Sequence, residues 1–172
     1  MSAAVDTAIR AQLQATLVLA VPELQACCRD AWYLIGSAAA WLAGATVTVA
    51  DVDVLTSRRD ADALIDHWQG RHLTPTGEGA ERFRSRYARF AFPGLAVEVM
   101  GGLEVHGDDG WSPVHVDDII HAELAGLRLP IPAVAEQIRL LQRFGRPKDQ
   151  QRAALLQLLC AQVQPDRCEM QH

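Results

Sequence analysis

The chain has 172 residues, enough for one sizeable hydrophobic core, and its 49% hydrophobic and 22% charged content is that of a globular protein, not a disordered one. Its 16 Lys and Arg against 21 Asp and Glu give a net charge of −5, which argues against a broad grip on extended nucleic acid. No apolar run reaches membrane-spanning length, and Met1 to Gln14 lacks the basic start and apolar core of a signal peptide, so a cytoplasmic location with reduced thiols at Cys27, Cys28, Cys160 and Cys168 is expected.

Residues 3–29 read as a helix, with Val5, Ile9, Leu13 and Leu17 at helical spacing and Pro22 breaking or restarting it. Trp32 to Ile35 reads as a short strand. Gly36-Ser37 then turns the chain into an Ala-rich helix that stops at Gly44. Thr46 to Leu55 is rich in β-branched residues and reads as a central strand. Asp60 to Gln69 follows as a helix, and Thr74 to Gly79 as a loop. Arg82 to Phe92 and Leu95 to Met100 form a hairpin about Pro93-Gly94, Gly101-Gly102 marks a bend, and a further hairpin turns around residues 107–110. Asp117-Asp118 reads as a helix cap and Leu129 to Pro132 as an extended connector. Ala133 to Phe144 and Pro147 to Val163 are helices, with Pro147 in a first turn and the tail from Gln164 frayed. The expected layout is an α/β core over 1–128, with a mixed sheet, and a C-terminal helical appendage over 129–172 packed on it.

The chemistry concentrates in Asp51-Val52-Asp53. Residues i and i+2 of a strand share a face, so these carboxylates project together from an apolar strand. Two such anions repel and resist desolvation unless a cation lies between them, and Mg²⁺ suits clustered carboxylate oxygens. Glu98 stands alone among apolar neighbours in Ala96 to Met100 and needs a partner for the same reason. Side by side, the strands would gather three carboxylates able to hold one or two Mg²⁺ ions roughly 4 Å apart. Gly36 and Ser37 open a helix, with backbone N–H groups and a small hydroxyl where a triphosphate can lie. Arg82, Arg84, Arg86 and Arg89 read as a solvated basic face, with a grip on phosphates or an anionic acceptor as the sharper reading.

The order Leu34-Ile35-Gly36-Ser37, then Val49-Ala50-Asp51-Val52-Asp53-Val54, then Val97-Glu98-Val99 resembles the DNA polymerase beta-like nucleotidyltransferase superfamily, in its small bacterial branch of aminoglycoside and minimal nucleotidyltransferase-like members. Arg146-Pro147-Lys148-Asp149 resembles an R-x-K-D segment that opens a late helix in those members. The resemblance implies Mg²⁺-dependent transfer of a nucleotidyl group from an NTP to a hydroxyl of a small molecule or protein. Asp51, Asp53 and Glu98 would then be the catalytic and metal-binding carboxylates, with Gly36, Ser37 and Lys148 on the phosphates. Val47 and Val49 stand where many small members carry Arg and Thr. They motivate a second reading, a weakly active or inactive regulatory protein such as a toxin–antitoxin component. A small protein partner and a homodimer both stay open.

Overall fold

The computed structural model describes residues 1–75 and 80–163. Positions 76–79 of the expected loop, and the tail from Gln164, lie outside them. The chain runs α1 (Ala3–Cys27), β1 (Tyr33–Ile35), α2 (Gly36–Leu42), β2 (Asp51–Thr56), α3 (Arg58–His67), β3 (His72–Leu73), β4 (Phe83–Phe90), β5 (Ala96–Gly107), β6 (Gly110–Pro113), β7 (Ile119–Leu124), β8 (Leu127–Pro132), α4 (Val134–Phe144) and α5 (Pro147–Val163). The fold is α/β, as the sequence predicts.

The main sheet has the order β1-β2-β5-β4-β3, with β6 continuing from β5 as a hairpin. The pair β2–β5 is parallel; β1–β2, β5–β4 and β4–β3 are antiparallel. Period-2 alternation gives the sheet two unlike faces. Val52, Val54, Ala88, Phe90, Val97 and Val99 share one face and are buried in the main core. Leu13, Leu17, Val21 and Leu24 of α1 and Leu64 of α3 join that core. Each fully buried leucine contributes about 1.5–3 kcal/mol. The other face carries Asp51, Asp53 and Leu55 on β2, Glu98 and Met100 on β5, and Tyr87 and Arg89 on β4. Leu140 and Phe144 of α4 cover its Leu55 and Met100 portion in a second apolar cluster, and the carboxylates lie beyond that cluster.

Several elements depart from the sequence reading. The helix α1 runs unbroken through Pro22. Proline forfeits one helical bond, to the carbonyl of Val18, but Pro22 and Val18 are both exposed, so that turn is open to solvent. The strand expected from Thr46 pairs only from Asp51 onward. Ala45, Val47 and Val49 are buried in alternation with exposed neighbours, so the chain is extended there. It has no ladder partner: β1 ends with Ile35 opposite Asp53, and β5 begins with Ala96 opposite Asp51. The bend at Gly101-Gly102 is a register shift inside one long strand, opposite Arg84 and Arg86. Asp117-Asp118 caps no helix. The chain enters a two-stranded hairpin, β7–β8, with Ile119 opposite Pro132. The 128/129 boundary falls inside β8, which packs beside β1. Among the described residues, no helix is long and apolar enough to cross a membrane.

Candidate active site

The first residues of β2 lie beside the point where β1 stops and α2 begins. A single row crosses four strands there: Ile35 on β1 faces Asp53 on β2, Asp53 faces Glu98 on β5, and Glu98 faces Arg89 on β4. Side chains directly opposed in this way have Cβ atoms about 4.5–5.5 Å apart. Asp51 lies two residues before Asp53 on the same face, and both remain partly open to solvent. The sheet thus brings the carboxylates of Asp51, Asp53 and Glu98 into one neighbourhood.

Gly36 makes room for them. Its φ is +68°, a conformation that side chains rarely adopt, and a Cβ there would come within 2.3 Å of Asp53 Oδ2. Glycine therefore lets the turn from β1 into α2 close against the carboxylate. Ser37 follows in the first turn of α2 and is buried, 5% exposed.

The electrostatics are those of crowded anions. Burial first, and then the charges of Asp51 and Glu98, push the Asp53 carboxyl well above its ordinary range. Asp51 is raised too, by burial and by Glu98, against the pull of Arg89, Lys148 and Arg152. Burial, and after it Glu98, also raises the Tyr87 hydroxyl. Glu98 has a direct counter-ion in Arg89, whose Nε lies 3.2 Å from Glu98 Oε1. Among the described residues, no group of three or more His, Cys, Asp or Glu side chains is disposed to hold one metal ion. The donor set that fits a divalent cation is the Asp51/Asp53 pair, two oxygen ligands whose raised proton affinity marks an unmet need for positive charge.

Helix α5 brings two cations within electrostatic reach of Asp51. Lys148 in its first turn and Arg152 one turn later both act on Asp51. Arg146 fixes that turn: its Nε donates to Asp149 Oδ2 at 2.6 Å and its terminal nitrogen to Oδ1 at 3.0 Å. The same guanidinium lies over the Phe83 ring, 4.7 Å from its centroid.

The R-x-K-D resemblance points to Lys148 and is silent on Arg152, although the two stand at i and i+4 on one helix. The sequence groups Arg89 with Arg82, Arg84 and Arg86 as one basic face. The structure separates them. Arg84 pairs with Glu104 at 2.6 Å and Arg86 pairs with Asp62, both in exposed ion pairs, whereas Arg89 enters the carboxylate row. A signal was present: a hairpin centred on Pro93-Gly94 puts residue 89 opposite residue 98.

No protein-family model matches the chain, and no curated protein matches it significantly. Solved structures do. A Thermotoga maritima protein described as a candidate nucleotidyltransferase superposes with a TM-score of 0.64 at 20% identity, covering 85% of this chain and 91% of that one. This is a nucleotidyltransferase fold. The lincosamide antibiotic adenylyltransferase LnuA, in its lincomycin-bound structure, matches that fold with a TM-score of 0.51 at 11% identity, over 81% of this chain and 94% of its own. An antigenic nucleotidyltransferase-like protein from Paracoccidioides brasiliensis gives 0.51 at 14% identity, over 88% and 76%. The nucleotidyltransferase fold agrees with the small polymerase beta-like architecture that the order of Gly36-Ser37, Asp51/Asp53 and Glu98 implies.

Proposed function

We propose that this chain transfers a nucleotidyl group from an NTP to a hydroxyl acceptor in the cytoplasm, with Mg²⁺ as cofactor. The observation that carries the reading is the same-face pair Asp51/Asp53, with Glu98 in register beside it and glycine alone fitting against Asp53 at position 36. Asp51 and Asp53 would hold the Mg²⁺ of the bound nucleotide. Bound there, the ion supplies charge neutralisation at the phosphoryl oxygens. Lys148 and Arg152 would bind and orient the triphosphate from α5, and the turn at Gly36-Ser37 would close on it from the other side. Glu98 stands where it can accept the acceptor hydroxyl proton as that oxygen attacks in line and pyrophosphate leaves. The acidic net charge favours a small molecule or a protein side chain as acceptor over a nucleic-acid strand. The lincosamide adenylyltransferase of like fold makes the small-molecule acceptor the first to try.

A second reading has its own observation. Val47 and Val49, each 8% exposed, are locked into the core just before the aspartates and offer no polar atom to a nucleotide. This favours a fold kept for regulation, with a small partner protein as in a toxin–antitoxin pair.

One experiment separates the two. Binding of ATP, GTP, CTP and UTP with Mg²⁺ is measured in wild type and in the Asp51→Asn/Asp53→Asn protein, alongside label transfer from each α-labelled NTP. Enzymatic function requires wild-type binding that falls about tenfold or more in the variant, with label passing to an acceptor. Binding that is equal in both proteins, or seen in neither, sinks the nucleotidyl-transfer reading. Variant-sensitive binding without transfer to any acceptor favours the regulatory one.

A further inference from the structure

We infer that Arg89 is a resident cation for Glu98, and that the carboxylate site consequently takes a single divalent ion, held by Asp51 and Asp53 with Glu98 outside its ligand set. The inference rests on the nucleotidyl-transfer reading above and departs from a three-carboxylate, two-ion arrangement.

The case begins with strand register. Asp53, Glu98 and Arg89 occupy one row across β2, β5 and β4, so the charge sequence along the row is minus, minus, plus. Glu98 is flanked by an anion on one side and a cation on the other. Its Oε1 is held by the cation, with Arg89 Nε at 3.2 Å, while its carboxyl also lies against Asp53 and the Tyr87 hydroxyl. Both side chains are mostly withdrawn from water, 26% exposed for Arg89 and 16% for Glu98. An ion pair so placed is weakly screened, and separating it would strand both charges. The Nε of Arg89 is itself fully buried and makes no well-aligned hydrogen bond, so the contact that serves it is the charge of Glu98.

Arg89 cannot step aside easily. Its neighbours on β4, Ala88 and Phe90, are fully buried on the opposite face, and β4 is paired on both edges, with β5 and with β3. A guanidinium also keeps its proton at any working pH. Asp51, Asp53, Glu98 and Arg89 together carry two net negative charges, and Lys148 and Arg152 add two positive ones beside Asp51, so the site holds no surplus of negative charge for a second divalent ion. A second ion between Asp53 and Glu98 would have to displace a half-buried guanidinium or accept it as a like-charged neighbour. The described residues agree: no three carboxylates converge on one metal position.

The test counts ions on the metal-free full chain by titrating Mn²⁺ and reading the free-ion electron paramagnetic signal. Wild type is expected to bind one Mn²⁺, and Asp51→Asn to weaken that ion about tenfold or more. Arg89→Met frees Glu98 and is expected to raise the count to two. The charge-neutral pair Arg89→Gln/Glu98→Gln is expected to keep one ion within about threefold of the wild-type affinity. Circular dichroism establishes that each variant is folded; should Arg89→Met fail to fold, the wild-type count and the double variant decide. Two ions on wild type overturn the inference, as does a double variant that loses its ion the way Asp51→Asn does; both outcomes leave nucleotidyl transfer standing. No Mn²⁺ on wild type, together with no Mg²⁺-dependent NTP binding, overturns both.

Discussion

At the scale of single residues, Asp51 and Asp53 carry a conflict that substitution can expose. Burial raises both carboxyls in the folded chain, and the charge of Glu98 raises both further, with Asp51 adding to the effect on Asp53. A group whose folded value lies above its unfolded one stabilises the fold below the unfolded value, about pH 4, and that contribution is lost as pH rises through the folded value. At neutral pH the metal-free protein therefore carries a charge penalty at these residues. Asp53→Asn removes an anion and leaves the shape. We expect it to raise the stability of the metal-free protein at neutral pH by about 1 kcal/mol, seen as a Tm higher by about 2–4 °C. Near about pH 4, below the raised folded values, the wild-type carboxyls already hold their protons and the difference should vanish. The same variant should gain no Tm from added Mg²⁺. A variant less stable than wild type at neutral pH and unchanged near the acid end would show that Asp53 serves the fold rather than a ligand.

At the scale of elements, what could be read from the sequence depended on whether the signal was local. The hairpin β4–β5 followed from Pro93-Gly94 between two β-rich runs, and α5 from Pro147 in a first turn followed by an unbroken helical stretch. The β7–β8 hairpin stayed hidden because Pro130 and Pro132 argue against a strand. They are tolerated because β8 has β7 as its one strand partner among the described residues and its other edge needs no N–H. The length of β2 was misjudged for a non-local reason, since alternation at 45–50 is real and only the partner strand is absent. Helix α5 shows how an element positions the site. Asp149 is fully buried in its first turn, accepts both arms of Arg146, and accepts the Arg146 backbone N–H at 3.2 Å. Asp149→Ala strands that guanidinium and undoes the start of the helix. We expect a loss of about 2–3 kcal/mol in urea denaturation, with weaker NTP binding as Lys148 and Arg152 lose their fixed approach to Asp51. Asp149→Asn keeps an acceptor oxygen and should lose about half as much. Unchanged NTP binding in a destabilised Asp149→Ala protein would detach α5 from the site.

For the whole molecule, the order of motifs along the chain was enough to give the fold, because Gly36-Ser37, Asp51/Asp53 and Glu98 fall on adjacent strand positions only when β5 enters beside β2. Composition could not show what holds β5 in that place. The holding contact spans the molecule: the Thr16 hydroxyl on α1 accepts the Leu95 N–H at 2.8 Å and donates to the Pro93 carbonyl at 2.8 Å. Thr16 is wholly buried, and the turn it clamps contains Gly94, at φ +92°, where a Cβ would lie 2.4 Å from the Gln12 carbonyl oxygen. Helix α1 is thereby fastened to the turn just before β5, three residues ahead of Glu98. Thr16→Val preserves volume and removes only the hydroxyl, leaving the Leu95 N–H and the Pro93 carbonyl without it in a dry place. A buried polar group left unpaired costs about 1–3 kcal/mol. We therefore expect Thr16→Val to lower unfolding stability by about 2 kcal/mol, hence Tm by about 4–8 °C, while Mg²⁺-dependent NTP binding to the folded protein stays within about threefold of wild type. Should binding collapse while the variant remains folded at the assay temperature, the α1 clamp sets the register of Glu98 as well as the stability of the sheet; should stability not change, water has replaced the hydroxyl and the clamp lies elsewhere along α1.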